Sequence, residues 1–467
     1  MAEEQEPDAA VIEPVPEAEL SPELLVARYL EDNDLEKVRE FATGLHYADL
    51  ADLFERLSKD ERIRLAGVIR DNFDPEVLSE LDDAVRDDVV SALSVKQVAS
   101  ALTELDTDDA LLVLEEMDAE QQQRFLKHVP EEDRTLIEEG LSYPEDSAGR
   151  LMQREVVTVP GHWNVGQCID FVRRKADADE DERDLPEIFY DIFVVDARRH
   201  PVGAVSLSKL LSTRRPVPIS DVMDPEMHQI AVNTDQEDVA FLFRQRDLVS
   251  APVVDANGRL VGAITIDDVV DVIHEEHEED IMRMGGVIED DLYRAALTTT
   301  RARFSWLVVN LLTAILASMV IGLFDATIEQ AVALAVLMPI VASMGGNAGT
   351  QTLTVTVRAL ATKELTVSNA SRVITKEVIV GSLNGVLFAV LTGLITWLWF
   401  QNSTLGGVIA AAMVINMVVA GLAGTTIPIM LERFGVDPAI ASSVFLTTVT
   451  DVVGFFAFLG LAALVLL

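Results

Sequence analysis

Long uncharged runs fill the C-terminal part of this chain, and a sequence of that kind folds against lipid. Residues 305–324 form one, close to the roughly 20 residues that span a bilayer. Residues 330–357 form a second. At about 1.5 Å per residue it outruns the hydrocarbon, so tilt or a break near Pro339 and the following glycines is expected. The run 378–431 is too long for one helix and divides at Gln401-Asn402-Ser403, giving spans three and four, and 438–467 gives the fifth. The second run holds MPIVASMGGNAGTQTLTVTVRALA, residues 338–361. There Gly345, Gly346 and Gly349 permit unwinding or close backbone approach. Asn347, Thr350, Gln351 and Thr354 would be costly in hydrocarbon unless they line a protein interior or a water-filled path.

Charge divides the chain sharply. From Arg301 onward there are seven basic and seven acidic residues, so of the totals of 36 and 78, 29 basic and 71 acidic residues precede it. The whole formal charge of −42 therefore sits in the first 300 residues. Such a field excludes nucleic acid as an expected partner and favours cations. The basic residues of the membrane part precede span one or follow spans two and four. The positive-inside rule then places the N-terminal region in the cytoplasm and the C-terminus outside a cell membrane crossed several times. Cys168 is the single cysteine, which suits a reducing compartment. Residues 1–20 are acidic and Pro-containing, so a disordered tail without a signal peptide is expected.

Two repeat systems organise the soluble part. HYADLADLFERLSKDERIRLAGVI (46–69), SVKQVASALTELDTDDALLVLEEM (94–117) and DAEQQQRFLKHVPEEDRTLIEEGL (118–141) recur at a spacing near 24 residues, which predicts stacked short helices. From 151 and again from 222, a strand, helix, strand, turn, strand, helix pattern is read, and Asn257-Gly258 is a strong hairpin signal.

Asp451 is the one acid deep in an uncharged run, and Ser443 and Thr447 precede it at steps of four, on one helical face. Asn347, Thr350, Thr354 and Arg358 make a matching set in the second span. One carboxylate with several hydroxyls suits a hard cation that passes largely hydrated. The structural alternative is a hydrogen bond from Asp451 to Asn416 or Asn384, and Ser or Thr bonding back to its own helix. The segment ITIDDVVDVIHEEHEEDIMRM, 264–284, carries acids around much of a helix, and like charges at steps of three or four repel unless divalent cations bridge them. His274 and His277 lie three apart without Cys support, which speaks against Zn2+. No nucleophile–base pattern, phosphate loop or dinucleotide fingerprint is found, so no enzyme is expected.

The second repeat system looks like a pair of cystathionine-beta-synthase (CBS) domains. With GGNAGTQ, RALAT, GVDPA and TDVVG in the spans, the chain resembles the MgtE-type magnesium channels over nearly its whole length. The resemblance implies a multidomain protein with three fold types: an α-helical superhelical N domain, α/β tandem CBS domains and an all-α transmembrane domain of five helices. The domains are placed at 21–142, 143–213, 214–273 and 301–467, with a connecting plug helix and linker at 274–300. It implies a homodimer with a pore on the two-fold axis and a cytoplasmic sensor that closes when intracellular Mg2+ is high. The family's pore aspartate falls on Asp451, and its supporting oxygens on Thr350, Thr354, Ser443 and Thr447. Cytosolic metal contacts fall on Asp268, Asp271, Glu276, Glu279 and Asp280 of the plug helix, and on Asp235, Glu237 and Asp247 of the second CBS domain. On the N domain the candidates are Glu104, Asp106, Asp108 and Asp109 in TELDTDD. Mn2+ or Co2+ is the alternative cargo, a non-conducting membrane-anchored sensor the alternative role, and an adenine nucleotide an open expectation for the CBS pair.

Overall fold

The computed structural model describes residues 20–466 apart from 116, 178–184, 187, 288–292, 294–295 and 367; the side chains of 441 and 442 are also outside the description. The tail expected over 1–20 thus lies, but for Leu20, outside the described residues. The chain divides into two compact units, residues 1–273 and 274–467.

The first unit opens with α1 (Pro22–Glu31), α2 (Leu35–Ala42), α3 (Tyr47–Arg56), α4 (Lys59–Ile69), α5 (Val77–Glu80), α6 (Asp83–Ala92), α7 (Val95–Glu104), α8 (Thr107–Glu115), α9 (Ala119–Leu126) and α10 (Glu131–Gly140). Helices start at 35, 47, 59, 83, 95, 107, 119 and 131, so the 24-residue repeat is a pair of 12-residue units. A polar residue often precedes the first turn and caps it: Asp34 accepts from Lys37 N, Asp82 from Ala84 N, Ser94 from Gln97 N and Asp118 from Gln121 N. Two buried arginines, also 24 apart, close other helix ends. Arg62 donates to the carbonyls of Phe54 and Glu55, and Arg86 to those of Leu78 and Leu81. Each satisfies carbonyls that a helix terminus leaves without a partner.

After α11 (Ala148–Leu151) come two three-stranded sheets of the same topology. The first holds β1 (Thr158–Pro160), β2 (Asp191–Val195) and β3 (Pro201–Ser206), with α12 (Val165–Ala176) and α13 (Leu207–Ser212). The second holds β4 (Ile230–Ala231), β5 (Ser250–Val254) and β6 (Leu260–Thr265), with α14 (Gln236–Arg246). In each, the outer strand pairs parallel and the hairpin antiparallel, with an irregularity at Val194/Val195 and again at Val253/Val254. The hairpin at Asn257-Gly258 is present, with Gly258 at φ +76°, a conformation that favours glycine. Arg199 holds the corresponding place in the first hairpin at φ +65°. The two cores do not follow the boundaries 143–213 and 214–273. Ala148 and Met152 are buried with the second sheet's Val253 and Ile264, whereas Ile219 and Val222 are buried with the first sheet's Val194 and Val205. Each module thus borrows the segment that leads into its neighbour, because only there is a complementary apolar face available.

A helix α15 (Ile266–Met284) leaves the second sheet and runs past the boundary between the units. It covers most of the segment 264–284 read as helical, and starts ahead of the domain boundary placed at 274 because β6 feeds it directly.

The second unit carries α16 (Ala296–Gly322), the short α17 (Asp325–Gln330), α18 (Ala333–Ala361), α19 (Ala370–Phe400), α20 (Ser403–Arg433) and α21 (Pro438–Leu466). Five of these are long and apolar enough to cross a membrane, as expected from the uncharged runs. The division at residues 401–402 is also as expected, with Gln401 at φ +54° turning the chain between α19 and α20. Of the tilt or break expected in the second span, the break is not there. Residues 333–361 form one helix with Pro339 inside it. Its glycines serve packing instead: a Cβ on Gly349 would meet Leu446, and one on Gly345 would run into Asn416, whereas Gly346 has nothing within 4 Å.

Candidate functional site

The two chemical constellations read from the sequence take different forms. On α18, Asn347, Thr350 and Thr354 are exposed in the single chain, while Thr352 and Thr356 on the opposite face are buried. Thr350 donates its hydroxyl to Gly346 O at 3.0 Å and Thr354 to Thr350 O at 2.9 Å; Asn347 Nδ2 donates to Ser343 Oγ at 3.3 Å. The back-bonding weighed against these residues is therefore real. It has a useful consequence, because a hydroxyl whose proton points down its own helix turns its oxygen lone pairs outward. The same holds on α21, where Thr447 donates to Ser443 O at 3.0 Å.

Asp451 lies one turn beyond Thr447, half-buried, and has no hydrogen-bond or ion-pair partner among the described residues. Neither Asn416 nor Asn384 holds it. Asn416 is instead fully buried and donates to Val341 O at 2.8 Å, wedged between Gly345 of α18 and Gly454 of α21. That amide locks two helices together and leaves the carboxylate of Asp451 free.

In the first unit, carboxylates from three places bear on one another electrostatically without closing into a metal-binding cage. Asp108 and Asp109 open α8, Glu76 and Glu80 flank α5, and Asp268 lies in the first turn of α15. Burial pushes Asp109 up to about 7, with the charges of Glu76, Asp268, Asp106 and Glu80 adding to it. Burial raises Asp268 to about 6, against two hydrogen bonds from Thr265, whose hydroxyl donates at 2.7 Å. Asp108 is raised well above the usual carboxylate range, first by burial and then by Asp268, Asp109, Asp106 and Glu155. Its Oδ1 is sealed from solvent without a hydrogen-bond partner. A buried carboxylate oxygen with no donor among the described residues is an unsatisfied acceptor. Among the described residues, no three His, Cys, Asp or Glu groups stand close enough together to hold an ion.

Residues 338–461 match the family model for a divalent cation transporter, residues 45–146 that of the MgtE intracellular N domain, and residues 219–275 that of the CBS domain. The magnesium transporter MgtE of Thermus thermophilus is 33% identical over 444 residues, 94% of this chain and 97% of its own length. The chain belongs to the MgtE family. The MgtE magnesium transporter of Bacillus subtilis is 29% identical, over 93% of this chain and 95% of that one. Among solved structures, the cytosolic domain of the Mg2+ channel MgtE in complex with ATP is 31% identical, covering 54% of this chain and 99% of that one at a TM-score of 0.48. The chain is accordingly a multi-pass membrane protein of a magnesium-transporter family.

Other members of the expected cytosolic set are spread out. Asp235 is the N-cap of α14, its carboxylate accepting from Glu237 N at 2.9 Å, and Asp247 is the exposed left-handed C-cap of that helix. Glu237 is half-buried in the first turn of α14. Glu104 is exposed at the end of α7 and accepts from Ser100 Oγ at 2.8 Å. Asp271 is exposed, and its charge bears on Glu80 and Asp268. Further along α15, Glu279 pairs with Arg283, which also pairs with Asp437 ahead of α21. Beside them Asp280 is raised to about 6 by burial, then by Asp437 and Glu276. Sequence reasoning missed Glu76, Glu80, Glu155 and Asp437. Glu155 caps α8 from outside, accepting from Thr107 Oγ1 at 2.6 Å. Of these, only Asp437 had a signal, its place in the GVDPA motif.

Proposed function

We propose that this chain is a Mg2+ channel of the cytoplasmic membrane, closed by Mg2+ binding to its acidic cytosolic region. The observation that carries permeation is Asp451, a carboxylate in a membrane helix with no partner, at the head of a row of outward-turned oxygens. A fixed negative charge there concentrates divalent cations, and hydroxyls that accept from an ion's water shell let a hydrated Mg2+ pass.

The polar row on α18 is exposed in one chain. In hydrocarbon that exposure is unfavourable, so we read the conducting form as a homodimer in which a second copy closes the path. The N-terminal region is assigned to the cytoplasm on the basic residues flanking α16, α18 and α20. Closing is assigned to the Asp108, Asp109 and Asp268 cluster together with Asp271, Glu276, Glu279, Asp280 and the CBS acids Asp235, Glu237 and Asp247. Mg2+ binding there offsets the mutual repulsion and stabilises the compact form by mass action. Because α15 begins in one unit and ends in the other, it can transmit that change. Within the CBS pair we propose an adenine-nucleotide site. No catalytic centre is part of this reading.

The test is Mg2+ flux into liposomes containing the purified chain, with Mn2+, Co2+ and Ca2+ as competitors. Uptake of Mg2+ that these ions do not displace is expected. Absence of flux from assembled protein supports a sensor without a pore, and preference for Mn2+ or Co2+ supports the broader divalent description of the family.

A further inference from the structure

At the end of the helix bundle where α18 and α20 finish, the start of α19 bears a pocket of about 440 Å³ lined by Ser371, Arg372, Thr375, Lys376, Ile379 and Val380. Its lower part is cationic and hydroxylic, and its upper part is apolar. We propose that it holds the headgroup phosphate of an anionic phospholipid, with the acyl chains laid along α19.

Three observations carry this. First, positive charge is in surplus. Lys376 Nζ lies 3.2 Å from Glu377 Oε1, while Arg372 has no acidic partner among the described residues. A guanidinium beside a hydroxyl and a helix N-terminus favours a phosphate. Second, the polar residues continue into an apolar stripe at steps of three and four. Ile379, Leu383, Leu387 and Val390 are 54%, 62%, 68% and 68% exposed. A cationic head followed by an exposed apolar stripe is the complement of a phospholipid. Third, alternatives match the charge less well. A two-fold related copy with its axis through this patch would set Arg372 and Lys376 against their own equivalents. Free phosphate leaves the apolar lining unused.

The experiment is native mass spectrometry of the full chain in detergent, incubated with phosphatidylglycerol, phosphatidylcholine or inorganic phosphate. Retention of phosphatidylglycerol through delipidation is expected, with phosphatidylcholine and phosphate lost. Arg372→Gln should lower that retention about fivefold, the worth of one cation near an anionic surface. Arg433→Gln, at the same end of the bundle but outside the pocket, should change nothing. A double variant, Ser371→Ala with Ile379→Gln, probes the lining should Arg372→Gln not assemble, and should also lower retention. Equal retention of phosphatidylcholine, equal loss in Arg433→Gln, or phosphate held as well as lipid overturns the proposal. So does a disulfide between two copies carrying Thr375→Cys, since a second chain would then cover this face.

Discussion

The acidic cluster of the first unit and the oxygen row of the membrane unit, to both of which we assign Mg2+, are built by opposite means. In the cluster, Asp108 and Asp109 of α8 are raised by burial and then by the charge of Asp268 on α15, far away in sequence, and one carboxylate oxygen is sealed in without a donor among the described residues. Along the row, hydroxyls satisfy their protons within their own helices, and Asp451 stands alone. Stored repulsion makes a folded arrangement respond to its ligand. A single charge with neutral oxygens lets an ion come and go, because conduction needs binding weak enough to release. The first suits sensing and the second suits passage.

The largest effect should come from removing the lone charge. Asp451→Ala is expected to drop Mg2+ uptake in liposomes to the background of empty vesicles while the protein elutes as the wild-type assembly. Uptake at wild-type rate would place the row outside the path and break the comparison at its membrane end.

At the other end, Asp108→Asn with Asp268→Asn removes ligands and repulsion together. Patch recordings with Mg2+ stepped on the cytoplasmic face should show channels that stay open at concentrations that close the wild type. Asp247→Ala, at an exposed helix C-cap outside the cluster, should shift the closing concentration less. A larger shift for Asp247 than for the pair would move the sensor out of the cluster.

A third test separates packing from passage on α18. Gly345→Ala pushes against Asn416, which bonds Val341 O, and overpacking of this kind costs about 1–3 kcal/mol. Gly346→Ala meets open space in the single chain. Thermal unfolding in detergent should therefore fall for the first and hold for the second. The sequence offered Gly345 and Gly346 alike for unwinding or close approach; of the two, the unbroken helix singles out Gly345.

That distinction shows what the sequence could convey. Periodicity and uncharged length are local properties, so the 24-residue helical repeat, the twin sheet modules and the five spans were all legible. Asp451 was legible too, since one carboxylate in an uncharged run has few explanations. Which glycine packs and which faces outward depends on a partner 71 residues away, Asn416, and no local pattern encodes it. Glu76 and Glu80 were hidden for the same reason. They flank a helix of four residues, and only the tertiary fold brings them to Asp109.

The smallest expected effect concerns protons. Asp109 and Asp268 hold protons up to about pH 7 and 6 in the folded chain, against about 4 for a free carboxyl. Between those values the folded state binds more protons than the unfolded one, so stability falls as pH rises through that window. Under the proposed function, Mg2+ binding to the deprotonated carboxylates would oppose the fall. Without metal, the unfolding temperature of the first unit should therefore decline from about pH 4 to about pH 7. Added Mg2+ should flatten that slope and stabilise more at the alkaline end. Asp108→Asn with Asp109→Asn should remove most of the slope and most of the response to Mg2+ together. If the slope vanished but the response persisted, Mg2+ would be bound by carboxylates elsewhere, with Asp280 beside Asp437 and Glu276 the next place to look.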